Sequence, residues 1–217
     1  MLRDTKRDEA YFTKHIIEWE EEIKEDEKRL LELPLGDARR ENYFFSITDG
    51  KKCIAMDKYS RGDDINLVKK DLEALMLLRQ KNRLELGGFD TSDYRGNAIE
   101  LCVRVLLDMD SACVLELIEE DERKKKDIFN RDWFLHFMGS KGKNLNLERK
   151  CNCKEHELIK EFVATQDIEF LHQYMKKHTR LRDPLDTWDL EGAAIVKLMN
   201  LDKEEFKQYK YFPYDLI

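Results

Sequence analysis

The stretch from Asn97 to Glu119 constrains the fold more than any other. It carries Ile99, Leu101, Cys102, Val103, Val105, Leu106, Leu107, Met109, Ala112, Val114, Leu115, Leu117 and Ile118. A helix that is apolar on nearly every side must be enclosed by other helices. Outside residues 43–56 no segment alternates apolar and polar residues as a half-buried strand does. The expected fold is therefore all-α, a helical bundle of about seven or eight helices with residues 97–119 as its most buried part.

The flanking segments supply the surrounding helices. Between Asp8 and Leu33, Phe12, Ile16, Trp19, Ile23 and Leu30 recur at three- and four-residue steps with charges between them. Asp4 or Asp8 is placed to cap this helix, and Leu33-Pro34-Leu35-Gly36 stops it. Gly62-Asp63-Asp64 introduces a helix over about 65–86, whose expected buried side is Leu67, Leu72, Leu75, Met76, Leu78 and Leu86. Gly87-Gly88 ends it. Further on come an aromatic helix with Ile128, Phe129, Trp133, Phe134, Phe137 and Met138, a basic loop over 139–146, and an amphipathic helix over 155–177. In the final helix Leu190, Ala194, Leu198 and Leu201 share one stripe, and Gly192, Ala193 and Ala194 allow another helix to approach closely. Trp188 is an expected anchor, and Tyr211-Phe212-Pro213-Tyr214-Asp215-Leu216 an extended strap on the body.

Residues 38–60 read two ways. Tyr43 to Thr48, Asp49-Gly50, then Lys51 to Met56 is a hairpin pattern. Tyr43, Ile47, Gly50 and Ile54 also share one helical face. Local physics alone favours the hairpin.

Composition narrows the functional classes. The 217 residues include 39% charged and 41% hydrophobic side chains, enough apolar content for a core and too much for global disorder. A chain of this size buries about 70–75% of its unfolded surface and needs no metal or disulfide to fold. The net charge of −7 is uneven: residues 1–34 hold 11 acids and 7 bases, whereas residues 128–154 hold 2 acids and 6 bases. An acidic chain is repelled by nucleic acid and attracted to basic proteins. No run approaches the ~20 apolar residues of a membrane span. Five cysteines with no visible secretory signal point to reduced thiols and a cytoplasmic location.

Few residues carry chemistry. Cys151, Cys153 and His156 are a weak zinc candidate, because C-x-C is tighter than the usual spacing and no second cysteine pair follows. Cys53, Cys102 and Cys113 read as small core hydrophobes. The five histidines are scattered among charges and read as surface residues. No nucleophile elbow or phosphate loop is present; Gly139-Ser140-Lys141-Gly142-Lys143 lacks the required spacing. No catalytic residue, cofactor or bound metal is expected, so the chain reads as a non-enzyme. The acidic run Glu18, Glu20, Glu21, Glu22 is a solvated face or a contact for a basic partner. Two further patches are the expected partner-binding residues: Glu119, Glu120, Asp121 and Glu122, and Asp183, Asp186, Asp189 and Glu191. Helix capping is the competing explanation for both.

Three blocks carry a family resemblance. Trp188-Asp189 with the small-residue helix and the terminal Tyr-Phe-Pro-Tyr-Asp-Leu resembles the C-terminal region of PoNi-type immunity proteins. These are mostly helical bacterial proteins made beside a DNA-degrading polymorphic toxin, PoNe. Arg3-Asp4, Asp8, Tyr11-Phe12 and Ile16 resemble the start of that family's N-terminal region, and Tyr59-Ser60-Arg61-Gly62-Asp63 its Tyr-Ser-x-Gly-Asp turn. Residues 119–155 match nothing in the family pattern. The resemblance implies a helix over 38–60 and a helical hairpin opening the fold, and a helix is expected there. It also implies an N-terminal helical region (1–96) and a C-terminal one (97–217) packed as one unit. The implied function is neutralisation of a cognate nuclease toxin, itself a basic DNase domain, by occlusion. Neither direct nucleic-acid binding nor membrane insertion is expected. The alternative is a helical scaffold or regulatory interaction module with no toxin partner.

Overall fold

The computed structural model describes residues 2–86, 94–125, 132–178 and 187–217, without the side chains of Leu84, Leu86, Asp121, Lys124, Lys125 and His178. Nine α-helices and no strand occur among these residues. The chain divides into two compact units, residues 1–88 and 89–217. The boundary expected after residue 96 falls inside the fourth helix.

The first unit is built on α1 (Glu9–Glu32), α2 (Arg39–Arg61) and α3 (Ile65–Leu86). Asp8 caps α1: its carboxylate accepts from the Tyr11 amide at 2.8 Å. The other end is held by Arg40, whose guanidinium donates to the Leu30 and Leu33 carbonyls at 2.9 Å each. These are orphan acceptors of a helix C-terminus. Helix α1 packs on α2, and α2 on α3. Ile16, Ile23, Ile47 and Ile54 form a buried cluster, with Trp19, Leu30 and Leu78 against it.

The ambiguous segment is helix α2, not a hairpin. Gly50 is a packing position: a Cβ there would lie 3.0 Å from Ile23 and 3.2 Å from Trp19. Tertiary approach of α1 therefore overrides the local turn signal. The helix ends at Gly62, φ +91°. Two of the sequence blocks then meet. Arg3 donates to the Tyr59 carbonyl at 2.9 Å and the Asp63 carbonyl at 3.2 Å, and its guanidinium lies 4.5 Å from the Tyr59 ring centroid. The Arg3 and Asp4 amides both donate to the Ser60 carbonyl. The N-terminal segment is thus tied to the end of α2. In α3, Val68, Leu72, Leu75 and Met76 are buried, whereas Leu67 is 56% exposed. The core position expected at Leu67 is taken by its neighbour Val68. The Gly87-Gly88 stop lies outside the described residues.

The second unit contains α4 (Tyr94–Leu106), α5 (Ala112–Lys125), α6 (Trp133–Gly139), α7 (His156–Thr165), α8 (Ile168–His178) and α9 (Leu190–Leu198). The expected single helix over 97–119 is two. The chain turns at Asp108, φ +57°, where the Leu107 and Met109 amides donate to the Val103 and Arg104 carbonyls and close α4. The burial expectation holds for α4, in which every residue from Leu101 to Leu106 is buried. Arg104 is buried too, donating to Glu100 at 3.1 Å and to the Asp110 carbonyl at 2.9 Å. Likewise 155–177 is two helices, α7 and α8, broken at Gln166, φ +59°. Of the aromatic segment, Trp133, Phe134, Phe137 and Met138 are buried in α6, while Ile128 and Phe129 lie outside the described residues.

Helix α9 packs on α4 and α8. Its burial is broader than one stripe: Leu190, Gly192, Ala193, Ala194, Ile195 and Val196 are all buried. The strap is not wholly extended but carries a short 3-10 turn, Tyr214–Leu216, and another, Lys203–Phe206, precedes it. It is nevertheless packed, with Tyr211, Phe212 and Leu216 buried, as is Phe206 in the turn before it.

Candidate functional site

The start of α9 gathers the polar side chains of the second unit. Asp189 precedes the helix and accepts from the Gly192 amide at 2.7 Å, satisfying an orphan N-terminal donor. The Asp189 amide in turn donates to the Tyr211 carbonyl at 2.9 Å, and the Trp188 and Tyr211 rings meet edge to face at 6.2 Å. The terminal strap is thereby joined to the α9 cap. Trp188 is 7% exposed, as an anchor requires.

In the first turn of the helix, Glu191 accepts from the Tyr174 hydroxyl of α8 at 2.8 Å; the same hydroxyl lies 3.3 Å from Asp189. His156, the first residue of α7, sits at the centre. Its Nε2 is 3.0 Å from Glu191 Oε2 and its Nδ1 is 2.9 Å from the Tyr94 hydroxyl of α4. Its ring stacks on Phe134 of α6 with centroids 3.8 Å apart. Asp132 completes the cluster: it caps α6 through the Leu135 amide at 3.0 Å and accepts from the Asn152 amide at 2.5 Å. This one group of side chains joins α4, α6, α7, α8 and α9.

Electrostatics follow from burial and from the carboxylates. Burial disfavours the His156 cation, but Glu191, with Asp132 and Glu155 beyond it, raises its pKa by more, and the net shift is upward. Burial and then Asp132 raise the Tyr94 pKa, so the phenol keeps its proton. Tyr174 is held protonated by burial and by Asp189 and Glu191. Burial also pushes up the Cys102 and Cys151 thiols, and the Cys153 thiol to about 11. These three cysteines therefore remain thiols at neutral pH, and the thiol is the unreactive form.

The residues singled out from the sequence are distributed unevenly. Both nitrogens of His156 are engaged by Tyr94 and Glu191, and Cys153 donates to Glu155 at 3.0 Å. Among the described residues, no group of three or more His, Cys, Asp or Glu side chains is placed to hold a metal ion. The reading of His136 and His156 as surface residues is corrected, since each is at most 2% exposed. Both are drawn inside by a carboxylate partner: His136 Nε2 lies 3.2 Å from Glu122.

Of the first acidic patch, Glu119 is exposed and Glu120 half-buried. Glu122 turns inward to His136 and also accepts from Arg149 at 3.1 and 3.3 Å. The Asp121 side chain, like Asp183 and Asp186 of the second patch, lies outside the described residues. Asp189 is 2% exposed, and Glu191 faces His156. Capping and internal pairing therefore account for both, and the reading of this pair as an exposed contact is revised. Glu20, Glu21 and Glu22 are all exposed on α1. Sequence reasoning missed Tyr94 as a partner of His156, and Asp132 and Tyr174 as members of the same cluster. Only Asp132 carried a local signal, as a cap residue before an aromatic helix.

Residues 183–216 match the family model described as PoNe immunity proteins (PoNi), C-terminal. That stretch contains the α9 cap, the small-residue helix and the terminal strap, and it is the family that the sequence blocks resemble. No curated protein and no solved structure matches the chain. No helix among the described residues is long and apolar enough to cross a membrane.

Proposed function

We propose that this chain is an immunity protein. It binds a cognate antibacterial nuclease toxin in the cytoplasm of the producing cell and neutralises it by covering the DNA-binding or active-site surface, with no chemistry of its own. The observation that carries this reading is the family match over residues 183–216. It falls on a block whose cap, small-residue helix and strap are packed as one structural element.

Charge supports the partner's chemistry. A DNase holds phosphates and so presents a basic surface. A chain of net charge −7 gains both encounter rate and complementarity from such a surface. The acidic contact is assigned to exposed groups, Glu20, Glu21 and Glu22 of α1 and Glu119 of α5, with the half-buried Glu120 beside the last. Asp183 and Asp186 remain part of the proposed contact set. Affinity would come from a few apolar or aromatic anchors within that charge.

The test is co-expression in bacteria with each candidate nuclease domain encoded in the neighbouring genes. Survival and co-purification of the two proteins are expected. Cell death at the same rate with and without the chain would remove the proposal and leave a helical interaction module with another partner.

A further inference from the structure

We propose that protonated His156 is a pH-sensitive lock on the C-terminal block: the imidazolium holds Glu191 at the start of α9, and loss of its proton loosens α9 and the strap joined to it. The geometry requires a choice that only the cation avoids. An imidazolium donates from both nitrogens, to Glu191 at 3.0 Å and to the Tyr94 oxygen at 2.9 Å. Neutral imidazole has one N–H. If it stays on Nδ1, the Nε2 lone pair faces the Glu191 carboxylate. If it moves to Nε2, Tyr94 must turn its proton from Asp132 to the ring, because the phenol is held protonated beside that carboxylate. Either tautomer loses a bond inside a buried network, where an unmade bond is costly.

The groups around the His156–Glu191 pair come from every packed element. Tyr94 and Cys102 belong to α4, and Asp132 caps α6. Cys153 and Glu155 lie in the turn before α7, Tyr174 on α8, and Asp189 and Glu191 at α9. Carboxylates dominate this set, so the cation is more favoured than in a free imidazole, and its removal concentrates negative charge. Because the folded-state pKa is raised above the unfolded value, the stabilisation is fully present below the unfolded pKa of about 6.5. It is lost as pH rises through the folded value. The consequence is local: Asp189 and Tyr211 connect the α9 start to the strap through one backbone hydrogen bond, so both segments should open together.

The experiment is amide hydrogen exchange of peptides covering residues 187–199 and 203–217, from about pH 6 to about pH 9. Rates are corrected for intrinsic exchange, and the parent is compared with Glu191→Gln and His156→Gln. The parent should show opening that grows roughly tenfold for each pKa unit between folded and unfolded His156. Peptides of α1 to α3 should show no such trend. Glu191→Gln should abolish the trend in both segments. A parent with pH-independent opening, or a Glu191→Gln protein with the parent's profile, would overturn the lock. If His156→Gln fails to fold, nitrogen NMR of the parent decides. Both ring nitrogens of His156 protonated at about pH 6 supports the proposal, and a neutral tautomer there overturns it.

Discussion

Gly192→Ala separates the packing account from simple helix propensity. In an exposed helix this change stabilises by about 1 kcal/mol. Here a Cβ would lie 2.6 Å from Met175 Cε and 2.7 Å from its Sδ, and would also collide with the Asp189 carboxylate. Met175 is 1% exposed, so its thioether can move only by repacking against buried neighbours. Overpacking of this kind costs about 1–3 kcal/mol. Displacing the Asp189 cap costs about 0.5–2 kcal/mol more. The costs outweigh the gain, and the expected net loss is about 1–3 kcal/mol. In a unit of this size that lowers Tm by about 3–5 °C per kcal/mol. The assay is urea and thermal unfolding followed by tryptophan fluorescence, with peptide-level exchange to confirm that the change lies in residues 89–217. A Met175→Ala background should make the added methyl less costly, giving a non-additive double-mutant cycle. A Gly192→Ala protein more stable than the parent by about 1 kcal/mol would refute the close approach of α8 and α9.

Two other outcomes follow from named contacts. Trp188→Ala should cost about 3–5 kcal/mol in equilibrium unfolding, because the ring is enclosed beside Tyr211; a loss below about 1 kcal/mol would mark it as a surface residue. Arg3→Ala should cost about 1–2 kcal/mol and speed exchange at the end of α2, where Arg3 serves the Tyr59 and Asp63 carbonyls; unchanged exchange at residues 58–63 would contradict the N-terminal tie.

Much of the helical plan was legible where local chemistry and packing agree. Asp8 caps α1 and the Phe12, Ile16, Ile23 stripe is buried because cap and period point the same way. The reading failed where tertiary contacts chose a conformation that the residues do not announce. Asp108 and Gln166 take positive φ without the glycine that normally marks such a turn. Two long helices were therefore read where four exist. In α2 the Asp49-Gly50 pair is a turn signal only until Ile23 is placed against it, and the resemblance supplied what periodicity did not. The polar cluster was the least legible. His156 lies 62 residues from Tyr94 and 35 from Glu191 along the chain, and no local spacing reports that they meet. The same side chains, read locally, suggested a metal ligand and an exposed acidic patch. Burial turned them into one network.

The central claim is that this chain neutralises a nuclease by binding it. The most direct measurement is DNA degradation by purified candidate nuclease domains from neighbouring genes, titrated with this chain at low and high salt. The account predicts saturable, complete inhibition, an isolable complex, and weaker association as salt screens the acidic contact. Undiminished DNA degradation at a large excess of the folded chain, with no complex at low salt, would contradict it.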